Sequence, residues 1–257
     1  MRTVAVIQAR MGSTRLPGKI LKEVAGRPLL DYMLERVRRA KSLDAVLIAT
    51  TTSPQDDVLE RFCRERGVLC HRGSEDDVLD RYYGAARAAD AGTVVRLTSD
   101  CPVMDPRVID DVVGEFRQSG CDYVANTAPP PTTYPDGMDV EVFSFAALER
   151  AWKEAQKPSE REHVTFYFWK NPGLFKTRRR ELPEDLSRFR LTLDYPQDLE
   201  LLSRLLAELY PGNPAFSMAD AVDFLRKNPQ LHAINADIVP NQGWIPSLEK
   251  DKRQAGG

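Results

Sequence analysis

The chain has 257 residues, 42% of them hydrophobic and 29% charged, with 36 Lys and Arg against 38 Asp and Glu for a net charge of −2. This composition fits an ordered globular chain and excludes a disordered one. The lack of a basic excess argues against general nucleic-acid binding, and no apolar run approaches the ~18 residues that cross a bilayer. The start, Met1 to Ile7, lacks the long apolar stretch and cleavage site of a signal peptide, so a cytoplasmic protein is expected. Four cysteines without a CxxC pair and three scattered histidines predict reduced thiols and no zinc site.

The first half alternates between strand and helix patterns. Thr3–Gln8 is apolar and β-branched and predicts a buried strand. Pro28 opens a helix with Leu29, Leu30, Met33, Leu34 and Val37 on one face. Ala45–Ala49 is a second strand, and Ser53-Pro54 starts a helix to about Arg66. Val68–Cys70 is a short third strand, residues 76–89 a helix and Thr93–Thr98 a fourth strand. Asp105-Pro106 begins a helix to about Gln118, and residues 122–126 form a fifth strand. Such alternation predicts an α/β fold with a mainly parallel sheet covered by helices on both faces. Ligands of such sheets sit outside the carboxyl ends of the strands.

After Asn126 the pattern changes. A Pro/Thr-rich loop spans 128–135, followed by a strand at Val140–Phe143 and a helix at Ser144–Gln156. A single aromatic-rich helix is expected over Pro158–Trp169, a strand over Arg188–Asp194 and a helix over Pro196–Leu209. Residues from Pro240 on read as a frayed tail. We therefore expect one domain over 1–239, with the tail at 240–257.

The strongest local signal is the run from Gln8 to Lys19, which follows the first strand and carries two glycines, two hydroxyl residues, two arginines and a lysine. Exposed backbone N–H groups with fixed positive charge suit a polyphosphate. The run is not a Walker A loop, because its glycines are one residue too far apart and Ile20 follows Lys19. Gly12 and Gly18 do not form a dinucleotide fingerprint either.

The run Ile7-Gln8-Ala9-Arg10-Met11-Gly12-Ser13-Thr14-Arg15-Leu16-Pro17-Gly18-Lys19 resembles the signature loop of the cytidylyltransferases that make CMP-Kdo and CMP-sialic acid. The resemblance to SpsF-like members extends over nearly the whole chain. It takes in Gly73–Tyr83, Val95–Pro102, Tyr134–Phe143, Pro158–Thr165 and Arg190–Pro196. It implies a nucleotide-diphospho-sugar transferase fold, a Rossmann-like, GT-A-type three-layer sandwich. It implies that CMP passes from CTP to a sugar-like acceptor with release of pyrophosphate, in surface polysaccharide or glycoconjugate precursor synthesis.

Residue by residue, the resemblance places Arg10 and Lys19 on the triphosphate, assisted by Arg15, where charge builds on the leaving β,γ side. Ala9, Met11, Gly12, Ser13 and Thr98 join the nucleotide site in the half formed by 1–126. Ser74, Asp77 and Arg81 fall where the family contacts base and ribose, although Asp77 and Arg81 also make an ordinary i,i+4 helix pair. Asp100, at the end of the fourth strand, resembles a catalytic magnesium ligand. Asp194 resembles the second, with Asp198 in reserve. Tyr134, Asp136, Asp139, Glu141, Arg161 and His163 are expected to face the acceptor in the half formed by 127–239, which is also expected to carry a homodimer contact. Two other readings remain: a glycosyltransferase of the same fold using a nucleotide-sugar donor, and a non-catalytic nucleotide-binding subunit.

Overall fold

In a computed structural model that describes residues 1–255, the first strand is β1 (Thr3–Gln8). Its side chains alternate between the two faces of the sheet. Ala5 and Ile7 enter one apolar cluster, and Val4 and Val6 enter the other. Helices cover both faces, which is why the strand is apolar at every position.

A small hairpin, β2 (Glu23–Val24) and β3 (Arg27–Pro28), leads into α1 (Leu29–Val37). Next come β4 (Ala45–Thr51), α2 (Asp57–Glu65), β5 (Leu69–Gly73), α3 (Val78–Ala88), β6 (Thr93–Thr98) and α4 (Pro106–Ser119). Proline at the first position of α4 removes a donor that the helix leaves unpaired anyway. The Asp105 carboxylate accepts the Arg107 N–H at 2.9 Å. β1 pairs in parallel with both β4 and β6, and β4 with β5. The chain therefore leaves β1 on one side and returns on the other. Register pairs Gln8 with Thr98, so the loops after these residues meet at the switch point.

The second half adds β7 (Tyr123–Ala125), β8 (Glu141–Ser144) and α5 (Phe145–Glu154). β8 runs antiparallel between β6 and β7 and sets Glu141 opposite Arg96. Then follow α6 (Pro158–Glu162), α7 (Phe166–Lys170), β9 (Thr177–Arg179), α8 (Pro196–Leu209), α9 (Met218–Lys227), α10 (Pro229–His232) and α11 (Ile245–Ala255). The result is a seven-stranded, mostly parallel mixed sheet in the order β5-β4-β1-β6-β8-β7-β9. Among the described residues no helix is long and apolar enough to cross a membrane.

Three local expectations are corrected. The helix expected over 158–169 is two helices, broken around Val164, whose φ is +52°. Residues two apart on a helix lie ~200° apart. The break lets both His163 and Thr165 line the same cleft. The segment 188–194 is extended but makes only an isolated bridge, Asp136 to Arg190. Its neighbour is a turn at Gly137, with φ +99°, and a Cβ there would meet the Leu191 backbone at 2.5 Å. The alternation still sorts the faces: Leu191 and Leu193 are buried, while Arg190, Thr192 and Asp194 line the cleft. Finally, the tail is folded as far as Ala255. Ser247 is fully buried, and the Asp251 carboxylate accepts the Ser159 N–H at 2.9 Å, tying α11 to α6.

Candidate active site

The basic loop is fixed by its backbone. Ala9 N–H extends the β1 ladder to Ala49 O at 3.0 Å, and Met11 N–H donates to the Asp56 carboxylate at 2.7 Å. Gly18, in the left-handed region with φ +64°, opens the short turn Lys19–Leu21 that aims Lys19 at the switch point. Lys19 Nζ donates to Asp100 Oδ2 at 2.8 Å and to Asp194 Oδ1 at 2.9 Å. Arg15 Nη2 donates to the same Asp194 oxygen at 2.5 Å.

Burial disfavours the charged forms of these groups, but their mutual attraction prevails. The two carboxylates hold Lys19 above its ordinary pKa. Lys19 holds Asp100 below the usual carboxylate range against burial and the like charge of Asp194. Lys19 and Arg15 bring Asp194 to about 2.

The cleft has two lobes that share Arg15, Arg96, Thr98, Asp100, His163, Asp194 and Gly243. One lobe, of about 390 Å³, is lined by the basic loop through Arg10, Gly12, Ser13, Thr14 and Lys19. The other, of about 250 Å³, is lined by Asp136, Asp139, Glu141, Arg190, Thr192, Tyr195 and Trp244. The first brings cations to the site and the second brings carboxylates. A triphosphate fits the former, and hydroxyl donors fit the latter.

The acidic lobe is built from paired groups. Glu141 accepts from Arg96, from Tyr123 Oη at 2.5 Å and from Thr165 Oγ1 at 2.6 Å. Asp136 accepts from Arg190 at 2.5 Å. Burial, reinforced by Asp139, still pushes Asp136 up to about 7. Burial likewise raises Asp139, with Asp100 and Glu141 adding to the effect. Burial lowers His163 to about 4, so the ring is neutral at pH 7, and its Nε2 lies 2.7 Å from Ser247 Oγ.

The raised Asp136 value makes a stability prediction. An unfolded aspartate titrates near ~3.9. Between that value and about 7 the folded protein holds the extra proton, so stability falls as pH rises through this window. Asp136→Asn removes the titration. Its Tm relative to wild type is expected to be more favourable at pH 8 than at pH 5, as thermal melts will show. An equal difference at both pH values would mean an Asp136 that stays ionised throughout.

Magnesium prefers a few carboxylates completed by phosphate oxygens. Among the described residues no group of three or more His, Cys, Asp or Glu is arranged to hold a metal. Asp100 and Asp194 nevertheless converge on one cation, Lys19 Nζ, beside the lobe that suits a triphosphate. The donor set fits a magnesium ion that arrives with nucleotide. Asp198 does not share this position. It is fully buried, bonded to Arg190 Nε at 2.9 Å and to the N–H groups of Asp194 and Tyr195, both at 2.9 Å.

Several expected site residues lie elsewhere. Arg161 does not line either lobe; its Nε donates to Asp77 at 2.9 Å and its Nη1 to Trp152 O at 2.7 Å. It ties α6 to α3. Arg161→Ala is expected to cost about 1–2 kcal/mol, a partly exposed but multiply bonded ion pair, read as a lower Tm. An unchanged Tm would remove it from the structural role. Tyr134 is buried in the core, away from the lobe lining. Arg81 is fully buried, donates to Ser74 O and packs against Gly73. Ser74, Asp77, Ala9 and Met11 shape the loops from behind and do not line the lobes.

Arg96, Arg190 and Trp244 are lining residues that the sequence reading did not select. A charged residue inside the apolar strand Thr93–Thr98 was a usable signal for Arg96. The alternation of Arg190 with Leu191 was another. Trp244 carried none, because its place depends on how the tail folds.

The family model described as Cytidylyltransferase matches residues 4–226. An uncharacterized protein of Methanocaldococcus jannaschii is 39% identical over 240 residues, covering 93% of this chain and 96% of its own. The spore coat polysaccharide biosynthesis protein SpsF of Bacillus subtilis is 34% identical over 233 residues, covering 87% and 94%. A solved cytidylyltransferase from Leptospira borgpetersenii superposes with a TM-score of 0.84 at 35% identity, over 90% of this chain and 97% of that one. CMP-2-keto-3-deoxy-manno-octonic acid synthetase, solved with CTP, shares the fold with a TM-score of 0.62 at 19% identity, over 81% and 99%.

Proposed function

Because the chain belongs to the cytidylyltransferase family, we propose that it transfers CMP from CTP to a hydroxyl of a small sugar-like acceptor and releases pyrophosphate. The acceptor oxygen bonds to the α-phosphorus, the bond to the bridging α,β oxygen breaks, and the acceptor loses its proton. The observation that carries this reading is one cleft with three parts in sequence. The basic loop stands at one end, the Asp100–Asp194 pair in the middle, and the Asp136–Asp139–Glu141 pocket at the other.

In this reading Arg10, Arg15 and Lys19 stabilise the charge that develops on the leaving phosphates. Asp100 and Asp194 would hold magnesium, which supplies further charge neutralisation at the phosphates. Thr98, Gly12 and Ser13 line the nucleotide side. Asp136, Asp139 and Glu141 accept hydrogen bonds from acceptor hydroxyls, and His163 stands neutral between the lobes. A role in surface polysaccharide or glycoconjugate precursor synthesis is supported by the name of the Bacillus subtilis relative. The family resemblance also supports a homodimer, which sedimentation equilibrium will test.

The test is pyrophosphate release from CTP across a panel of 2-keto sugar acids, sialic-acid-like sugars and phosphorylated or carboxylated alcohols, with and without EDTA. Acceptor-dependent release that EDTA stops and magnesium restores is the expected result. Turnover of a nucleotide-sugar donor without release from CTP would favour the glycosyltransferase reading. Nucleotide binding without either reaction would favour a silent subunit.

A further inference from the structure

We propose that Lys19 occupies the divalent-cation position of the nucleotide-free protein and yields it only to a metal that arrives with a triphosphate. This rests on the reading that Asp100 and Asp194 hold the metal.

Among the described residues three cations touch this pair of carboxylates, but only Lys19 touches both. Arg15 and Arg190 bond Asp194 alone, at 2.5 Å and 3.3 Å. The Lys19 ammonium therefore sits at the point that the two carboxylate oxygens share, at 2.8 Å and 2.9 Å. Its side chain is largely covered, with 12% exposure. The same side chain lines the basic lobe with Arg10 and Ser13. It thus has two anionic destinations, the carboxylate pair and the phosphates of a bound nucleotide. A compact ammonium on a flexible four-carbon stem can move between them, whereas Arg15 is a planar fork that bonds only the Asp194 oxygen of this pair.

This geometry sets an order of binding. A free divalent ion entering the cleft must displace a cation that already makes two charge-assisted hydrogen bonds. It offers nothing to the displaced ammonium. A metal–nucleotide complex satisfies both partners at once: phosphate oxygens take Lys19, and the metal takes the carboxylates. No charge is left unpaired during the exchange, which matters because an unpaired buried charge is costly. Metal and nucleotide then raise each other's affinity, as linkage requires.

The experiment titrates Mn²⁺ alone, followed by electron paramagnetic resonance, into nucleotide-free protein. Lys19→Met is expected to bind Mn²⁺ at least tenfold more tightly than wild type, and Lys19→Gln to do the same if the methionine variant folds poorly. The double variant Lys19→Met/Asp100→Asn is expected to lose the gain. Equal Mn²⁺ affinity in wild type and the folded Lys19 variants overturns the proposal. A second arm adds a non-hydrolysable CTP analogue to wild type and Asp100→Asn. A ternary Mn²⁺ complex that needs Asp100 keeps the metal reading even if the first arm fails. A ternary complex indifferent to Asp100 overturns the metal reading, and the proposal with it.

Discussion

Lys19→Ala is expected to lower kcat/KM for CTP by about 10²- to 10³-fold, and Arg10→Ala to fall in the same range, as loss of one preorganised contact to developing charge costs about 2–4 kcal/mol. Lys19 is aimed by a turn that begins at a left-handed glycine, and Arg10 lies exposed on the loop anchored through Met11 to Asp56. Neither side chain carries the apolar core, and Asp194 keeps Arg15 and Arg190 when Lys19 is gone. Both variants are therefore expected to fold. Pyrophosphate release measures turnover, and circular dichroism checks the fold. Near-wild-type turnover in both variants would remove the loop from the triphosphate site. A loss that appears only in KM would assign the loop to ground-state binding instead.

Asp100→Asn and Asp198→Asn are expected to fail in opposite ways. Asp100 is half-buried, lines both lobes and is held by the flexible ammonium of Lys19. Its replacement should leave a folded protein with little magnesium-dependent turnover. Asp198 is fully buried, pairs with Arg190 and accepts two backbone N–H groups at the start of α8. Removing one partner of a buried pair costs about 3–5 kcal/mol. A chain of this size should then lose roughly 10 °C in Tm. The two measurements are magnesium-dependent pyrophosphate release and thermal unfolding of the same preparations. Wild-type magnesium dependence in Asp100→Asn would make Asp100 a structural residue. A wild-type Tm in Asp198→Asn would contradict the buried pairing.

The sequence by itself determined the alternating first half, because each strand there is buried on both faces and each helix presents one apolar face. These are local patterns, and Thr3–Gln8 and Thr93–Thr98 appear as read. It also determined the basic loop, a contiguous run that brings Arg10, Gly12, Ser13, Thr14, Arg15 and Lys19 to the cleft while Ala9 and Met11 stay off its lining. Asp139 and Glu141, both expected to face the acceptor, both line the acidic lobe. What only the tertiary structure decided depends on pairs far apart in the chain. Arg161 looked like a cleft residue until folding brought Asp77 to it across 84 positions. Asp194 and Asp198 are indistinguishable by residue type and proximity; packing on Arg190 and Asn235 buries one and leaves the other at the cleft. Residues from Pro240 on read as a frayed terminus, yet Asp251 finds Ser159 across 92 positions and Trp244 lies in the cleft wall. Periodicity reports which face of an element is apolar. It does not report which distant partner will satisfy a buried charge or backbone donor, and those pairings are what separate site from scaffold here.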